Sequence, residues 1–256
     1  MSSQGRIAWY DLMTTDPGAA ETFYTKLAGW TTQAWEGPMP YTMWANGGVP
    51  LGGVNDLPEE AREAGAPPHW LSYTLVDDVE ATAARATELG ATVYVAPQEI
   101  PGSGHFAVLA DPGGATFAVY SNSGEDMSSD AQPQVGDFCW HDLLTEDREA
   151  AFEFYAELFG WVKAEAFEMG ELGIYQIFSR RADTPPLGGM FNKPVPDMPS
   201  YWMPYLRVAD VRASAELARN LGGQVVDEPR EVPGGDLIAT CMDPQGAVFA
   251  LHSTAE

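Results

Sequence analysis

Cysteine is scarce in this chain, which argues against two classes of protein. The chain has two cysteines, Cys139 and Cys241, in 256 residues. They make neither a disulfide framework nor a zinc motif of paired cysteines. A chain without disulfides suits a reducing compartment, so we expect two buried thiols in a cytoplasmic protein.

Basic residues are also scarce. Thirteen Lys and Arg stand against 37 Asp and Glu, which gives a formal net charge of −24. An acidic surface repels phosphate backbones and anionic headgroups, so we expect neither nucleic acid nor a membrane as a partner. The chain opens on a strand-like run rather than a signal peptide, and no apolar run reaches the ~20 residues of a membrane span.

What the sequence does contain is an internal repeat, which determines the predicted fold. A Trp-led strand, an Asp-capped helix with Phe-Tyr, a Leu-Gly-Gly and an Asp-Pro-x-Gly turn all occur twice, in the same order. The matched landmarks are Trp9 and Trp140, Asp16 and Asp147, Phe23-Tyr24 and Phe154-Tyr155, Gly29-Trp30 and Gly160-Trp161, Leu51-Gly52-Gly53 and Leu187-Gly188-Gly189, Asp78 and Asp210, Asp111-Pro112 and Asp243-Pro244.

Each half predicts the same alternation of strands and helices. In the first half we predict strands at 7–13, 41–44, 51–54, 69–76, 105–110 and 116–120 from the alternation of side chains and the turn residues between them. Asp16-Pro17 and Asp78 begin helices that end at Gly29 and Gly90. The prediction is an α+β fold of tandem βαβββ modules with mostly antiparallel sheets, at 1–120 and 136–256, joined by a Ser- and Asp-rich linker at 121–135.

This order of motifs resembles the vicinal-oxygen-chelate superfamily, which includes glyoxalases, bleomycin-resistance proteins and extradiol dioxygenases. Within it, the chain is similar to two-module bacterial proteins labelled glyoxalase-like or hydroxylase. The resemblance implies that curved sheets from the two modules form a cup with a ligand site inside. It does not imply a reaction, because this fold hosts isomerases, lyases, dioxygenases and drug-sequestering proteins.

The resemblance also implies where metal ligands would stand, and the residues there are unsuitable. The six positions hold Trp9, Trp140, Leu71, Met203, Ala118 and Ala250. None of these side chains offers a donor suited to Mg, Fe(II), Ni or Zn. We therefore predict no metal and no cofactor.

Strand parity predicts the residues that face the cup, because side chains at i and i+2 share a face of a strand. The resulting pocket is aromatic with a few polar groups, which is typical of small-molecule sites. Its predicted members are Trp9, Asp11, Met13, Tyr73, Tyr120, Trp140, Asp142, Met203, Tyr205, Arg207 and His252.

Asp11 and Asp142 are the candidate catalytic residues. A carboxylate beside tryptophan in a dry cup would have a raised pKa, which suits a general acid or base near neutrality. The alternative is a structural role, in which each Asp accepts hydrogen bonds from Tyr73, Tyr205 or backbone amides.

The remaining polar candidates also leave alternatives open. Arg207 could clamp a ligand carboxylate or enolate, or pair with Asp142 or Asp11. His252 could shuttle a proton or face solvent, and His141 is expected to be a satisfied buried histidine. The spacing supports no Cys–His dyad. The glycine pairs are interpreted as bulges and turns rather than a phosphate loop.

These observations predict a glyoxalase-like protein that binds a small hydrophobic or aromatic metabolite or antibiotic without metal, as a monomer or homodimer. The alternative is a metal-independent lyase, isomerase or cyclase that uses a pocket Asp as acid or base. A metal-dependent glyoxalase or dioxygenase ranks third, because its ligands are missing from the expected positions.

Overall fold

The computed structural model describes residues 4–37, 41–122 and 132–255. The first half contains β1 (Ile7–Thr14), α1 (Pro17–Ala28), β2 (Thr31–Ala34), β3 (Thr42–Asn46), β4 (Val49–Asp56), α2 (Glu59–Glu63), β5 (His69–Leu75), α3 (Val79–Glu88), β6 (Thr92–Ile100), β7 (Gly104–Ala110) and β8 (Thr116–Asn122).

The second half repeats this order, with a 3-10 turn at Gly170–Leu172. It contains β9 (Phe138–Thr145), α4 (Arg148–Phe159), β10 (Val162–Glu168), β11 (Ile174–Ser179), β12 (Pro186–Asn192), β13 (Tyr201–Arg207), α5 (Val211–Asn220), β14 (Gln224–Glu231), β15 (Leu237–Met242) and β16 (Val248–Ser253). None of the helices in the described ranges is long and apolar enough to cross a bilayer.

The strands form two eight-stranded sheets, one from each half of the sequence. Their orders are β2-β3-β4-β1-β5-β8-β7-β6 and β10-β11-β12-β9-β13-β16-β15-β14. Hairpin neighbours pair antiparallel, whereas β1 with β4 and β5 with β8 pair parallel, as do their equivalents. The predicted α+β class is confirmed. Each half holds two βαβββ motifs, where the prediction had one such motif plus a crossover helix and its strands.

The helix boundaries follow from the capping residues that the sequence analysis identified. Asp16 accepts a hydrogen bond from the Ala19 amide at 3.0 Å, with Pro17 at the start of α1. Gly29 ends the helix at φ 72°, a left-handed conformation that a side chain would strain. The second half repeats this pattern around α4. Of the predicted linker, Ser121 and Asn122 belong to β8, and 123–131 lie outside the described residues.

The described chain divides into two compact units, and each unit combines segments from both halves. The first unit contains residues 4–9, 72–122 and 140–202, and the second contains 10–37, 41–71, 132–139 and 203–255. Helix α3 therefore packs with α4 in the first unit, and α1 packs with α5 in the second.

A chain of three hydrogen-bonded side chains lies at the centre of each unit. In the second unit, Trp70 Nε1 donates to Tyr24 Oη at 3.1 Å, and Tyr24 Oη donates to Asp243 Oδ2 at 3.1 Å. Tyr24 lies on α1, whereas Asp243 opens the Asp-Pro-x-Gly turn of the other half. We call this arrangement a Trp–Tyr–Asp relay.

The first unit contains the reciprocal relay. Trp202 Nε1 donates to Tyr155 Oη at 2.9 Å, and Tyr155 Oη donates to Asp111 Oδ2 at 2.9 Å. Burial, reinforced by the Asp111 carboxylate, raises the pKa of Tyr155 well above its usual value, so the phenol remains a donor at neutral pH. The other oxygen of Asp111 accepts the Ala115 amide at 2.9 Å, which fixes the turn.

The relays predict a measurable loss of stability when a phenolic oxygen is removed. Tyr24→Phe or Tyr155→Phe leaves a buried Trp N–H without its acceptor and a buried carboxylate short of a donor. Each change should lower the free energy of unfolding by about 1–3 kcal/mol in urea denaturation.

The matched control is Tyr94→Phe, because Tyr94 is 61% exposed. This change should alter stability by less than about 0.5 kcal/mol. Equal effects of the three substitutions would show that the relays do not stabilise the fold.

Candidate functional site

Strands β1 and β9 carry the candidate carboxylates, and their two faces differ in exposure. On β1, Tyr10 and Leu12 are buried, while Trp9 and Met13 on the opposite face remain partly exposed. Asp11 shares the face of Trp9 and Met13 but is itself buried. The equivalent residues on β9 are Trp140, partly exposed, and Asp142 and Leu144, buried.

In the second unit, Asp11 is held by a tyrosine that the sequence analysis missed. Tyr41 Oη donates to Asp11 Oδ1 at 2.6 Å, a short distance typical of a hydrogen bond to a carboxylate. Tyr41 immediately precedes β3 and is partly exposed. The bond fixes the orientation of the carboxylate.

In the first unit, Asp142 forms the same pair with Tyr175, and a tryptophan extends it. Tyr175 Oη donates to Asp142 Oδ1 at 2.6 Å, and Trp140 Nε1 lies 2.7 Å from Tyr175 Oη and 3.0 Å from Asp142 Oδ1. This is a third Trp–Tyr–Asp arrangement. Trp140 and Tyr175 are partly exposed, whereas the side chains of the two relays are buried. The ring of Phe191 lies 5.7 Å from that of Tyr175.

The repeated Leu-Gly-Gly explains how the tyrosines reach the carboxylates. Gly53 is in register with Asp11, and Gly189 with Asp142, on the strands that lie between. A Cβ atom on Gly53 would lie 2.2 Å from the Tyr41 ring, and one on Gly189 would lie 2.0 Å from the Tyr175 ring. The rings therefore lie directly over glycine backbone.

The interpretation of the glycine pairs as bulges and turns needs correction. It holds for Gly47 and Gly48, which form the turn between β3 and β4. Gly53 and Gly189 instead lie inside β4 and β12. Glycine is needed there because a side chain would displace the tyrosine ring.

This packing predicts that Gly189→Ala and Gly53→Ala disrupt the adjacent Tyr–Asp hydrogen bond. Overpacking of this kind costs about 1–3 kcal/mol in unfolding free energy. Adding Tyr175→Ala to Gly189→Ala should remove most of the cost of the glycine change, as a double-mutant cycle would measure.

The control for the glycine variants is Gly18→Ala in α1. A Cβ there would meet only Asp16 Oδ1 at 3.7 Å, and alanine favours helix. Gly18→Ala should therefore be neutral or slightly stabilising. If Gly189→Ala proved equally harmless, the position of the Tyr175 ring would not depend on a glycine at residue 189.

The other predicted aromatic pocket residues occupy both units. In the first unit, Tyr73 is buried with its ring 6.4 Å from Phe106, and Tyr120 Oη donates to the Ser103 carbonyl at 2.9 Å. In the second unit, Met203 and Tyr205 are buried on β13. Their assignment to a ligand pocket stays a prediction.

Arg207 and His252 lie in register on β13 and β16. Arg207 donates to the Pro133 carbonyl at 3.0 Å and lies 3.5 Å from Thr254 Oγ1. His252 is partly buried. Its Nε2 lies 2.9 Å from Asp236 Oδ2.

The spacing in the sequence supports no Cys–His dyad, but the fold brings one cysteine and one histidine into contact. His252 Nδ1 lies 3.5 Å from Cys139 Sγ. The two residues are far apart in sequence, and the pairing of β13 with β9 on one side and β16 on the other brings them together. Burial raises the pKa of Cys139 to about 12 even though the charge of Arg207 acts against it, so the resting group is a thiol.

His141 is a satisfied buried histidine, as predicted. Its Nδ1 lies 2.8 Å from the Leu187 carbonyl, and burial lowers its pKa to about 4. The ring is therefore neutral near pH 7, with Nδ1 donating its hydrogen to the carbonyl.

The residues at the superfamily's metal positions do not fit a metal ion. Trp140 uses its indole N–H as a donor, and a metal ligand must instead supply a lone pair. Ala118 and Ala250 present methyl groups, and Leu71 and Met203 are buried apolar side chains. Within the described ranges, no group of three or more His, Cys, Asp or Glu side chains is placed to hold a metal.

Comparison with known proteins identifies the family. A family model described as a glyoxalase-like domain matches residues 9–120 and again 139–252. The chain belongs to the glyoxalase-like family. The chain therefore carries two copies of the glyoxalase-like domain, within the vicinal-oxygen-chelate superfamily.

Relatives of this glyoxalase-like chain carry different functional names. The Mycobacterium tuberculosis protein named "Putative glyoxylase CFP32" is 32% identical, over 98% of this chain and 96% of its own length. The anthracycline biosynthesis protein DnrV of Streptomyces peucetius is 31% identical, over 98% and 94%.

Solved structures support the fold at low sequence identity. The Mn(II)-bound glyoxalase of Novosphingobium aromaticivorans aligns with a TM-score of 0.64 at 15% identity, covering 99% of this chain and 83% of that one. A variant of homoprotocatechuate 2,3-dioxygenase from B. fuscum aligns with a TM-score of 0.67 at 13% identity, covering 99% and 72%. At these identities the likeness shows the fold alone.

Proposed function

We propose that this glyoxalase-like protein binds a small, planar aromatic metabolite or antibiotic without the help of a metal ion. The observation that carries the proposal is the partly exposed group of Trp140, Tyr175 and Phe191 around the buried Asp142. Aromatic faces supply contact area to a planar ligand, and the oriented carboxylate can accept a hydrogen bond from a ligand hydroxyl.

Two further observations support this proposal. The six positions where a metal would be bound hold side chains without suitable donors. In addition, two relatives that match nearly the whole chain are named anthracycline biosynthesis proteins. A planar polycyclic ligand is consistent with an aromatic site. We expect the protein to act in the cytoplasm, with both cysteines as free thiols.

Tryptophan fluorescence tests the proposed binding. An anthracycline, followed by a panel of other planar aromatic compounds, should quench the fluorescence saturably. Trp140→Leu should weaken binding by roughly tenfold, the loss expected for one aromatic stack. Calorimetry gives the affinity independently of the lost fluorophore.

The control is Tyr94→Leu, because Tyr94 is an exposed aromatic residue of β6 that belongs to neither Tyr–Asp pair. It should leave the affinity unchanged. An absence of saturable quenching across the panel, or an equal loss of affinity in both variants, would refute the proposal.

A metal-independent acid–base enzyme is the second candidate, and the Tyr–Asp pairs favour it. A carboxylate held at 2.6 Å by a phenol is oriented for proton transfer, and the phenol can stabilise the charge that develops. Any turnover of a bound compound should be abolished in Asp11→Asn, Asp142→Asn double variants. Tyr41→Phe or Tyr175→Phe should reduce it about 10- to 100-fold. Activity that survives the double Asn variant would contradict this mechanism.

A further inference from the structure

A thiol, an imidazole and a carboxylate lie in contact one after the other in the second unit, and the proposed function does not use them. Cys139 Sγ lies 3.5 Å from His252 Nδ1, and His252 Nε2 lies 2.9 Å from Asp236 Oδ2. The three residues come from β9, from the last strand β16 and from the turn that precedes β15.

The Asp236 carboxylate determines which imidazole nitrogen faces the thiol as an acceptor. An ionised carboxylate has no hydrogen to donate and can only accept hydrogen bonds. The neutral His252 ring therefore carries its hydrogen on Nε2, where it donates to Asp236. Asp236 is held ionised, because its pKa is lowered, against desolvation, by the Ala255 amide and His252. Nδ1 is then left with a lone pair 3.5 Å from Cys139 Sγ, and the thiol lies equally far from a second acceptor, the Tyr205 carbonyl oxygen.

We propose that Cys139, His252 and Asp236 form a nucleophilic site that adds the thiol to an α,β-unsaturated carbonyl compound. Cys139 is the nucleophile, His252 is its base, and Asp236 is a positioning residue. Cys139 as a residue is partly exposed on β9, so the proposed electrophile is a small one.

The reaction is balanced without an external oxidant or co-reactant. His252 Nδ1 takes the thiol proton as the sulfur electron pair forms a C–S bond to the β-carbon. The C=C electron pair moves onto the carbonyl oxygen as an enolate, and the imidazolium then returns the proton to the α-carbon. No group leaves, and nothing is oxidised or reduced.

The surrounding charges favour a conjugated carbonyl as the electrophile. Arg207 is in register with His252, and its charge acts on Cys139. A guanidinium at this place can stabilise the enolate oxygen. The other charged groups that act on the thiol are Asp137 and Asp236, and both disfavour a standing thiolate. Proton transfer to His252 must therefore accompany the attack.

Alkylation by N-ethylmaleimide, followed by intact-protein mass spectrometry, tests this proposal. The folded wild-type protein should take up a single adduct at Cys139. His252→Gln should react about 100-fold more slowly, the usual contribution of a general base. Asp236→Asn should also slow the reaction and change its pH profile, because the ring loses its fixed tautomer.

The pH profile separates a base-assisted thiol from a free thiolate. With His252 as the base, the wild-type rate should exceed that of His252→Gln at every pH below the Cys139 pKa of about 12. A rate that rises in proportion to hydroxide through the alkaline range would overturn the proposal, as would an unreactive wild-type protein.

Cys241→Ser is the matched control, since Cys241 is fully buried, and it should react like wild type. An adduct on Cys241 instead of Cys139 would contradict the assignment. If His252→Gln fails to fold by circular dichroism, Asp236→Asn decides the question, because the Asp236 side chain is 35% exposed. If Asp236→Asn then reacted at the wild-type rate with an unchanged pH profile, the proposed Cys139–His252–Asp236 site would be refuted.

Discussion

The hydrogen bond from a buried tyrosine to the aspartate of an Asp-Pro-x-Gly turn is the interaction on which the rest of this structure depends. Tyr24 of the first half bonds to Asp243 of the second, and Tyr155 of the second bonds to Asp111 of the first. A buried carboxylate is costly without donors. In each unit, a tyrosine from one half of the sequence therefore supplies the donor that the buried aspartate of the other half needs.

The same combination of side chains also occurs where solvent can reach it. Trp140, Tyr175 and Asp142 repeat the order of the buried relays, on a sheet face with partly exposed aromatic rings. The carboxylate orientation is fixed by the phenol, and the phenol position depends on Gly189. A fixed carboxylate beside accessible aromatic surface suits the recognition of a planar ligand, which is the function that we propose.

The sequence predicted local structure well, because capping and strand alternation are local. Asp16, Pro17 and Gly29 gave the bounds of α1, and the repeat gave the equivalent helix α4. Tyr41 was missed as the partner of Asp11, because that contact crosses an intervening strand. A weak signal did exist, since each half carries a tyrosine shortly before its Leu-Gly-Gly. The Cys139–His252 contact was missed for the same reason: it depends on strand pairing, not on spacing.

The central proposal is that this chain uses an aromatic site that needs no metal ion. The most direct test is the metal content of the protein, measured by inductively coupled plasma mass spectrometry. The protein is purified without an affinity tag or chelator, and it is measured again after incubation with Mn, Fe, Ni or Zn and desalting. We expect no metal in stoichiometric amount before or after incubation. A stoichiometric metal that is lost in Asp11→Asn or Asp142→Asn would contradict the account, because the carboxylates assigned to organic ligands would then be metal ligands.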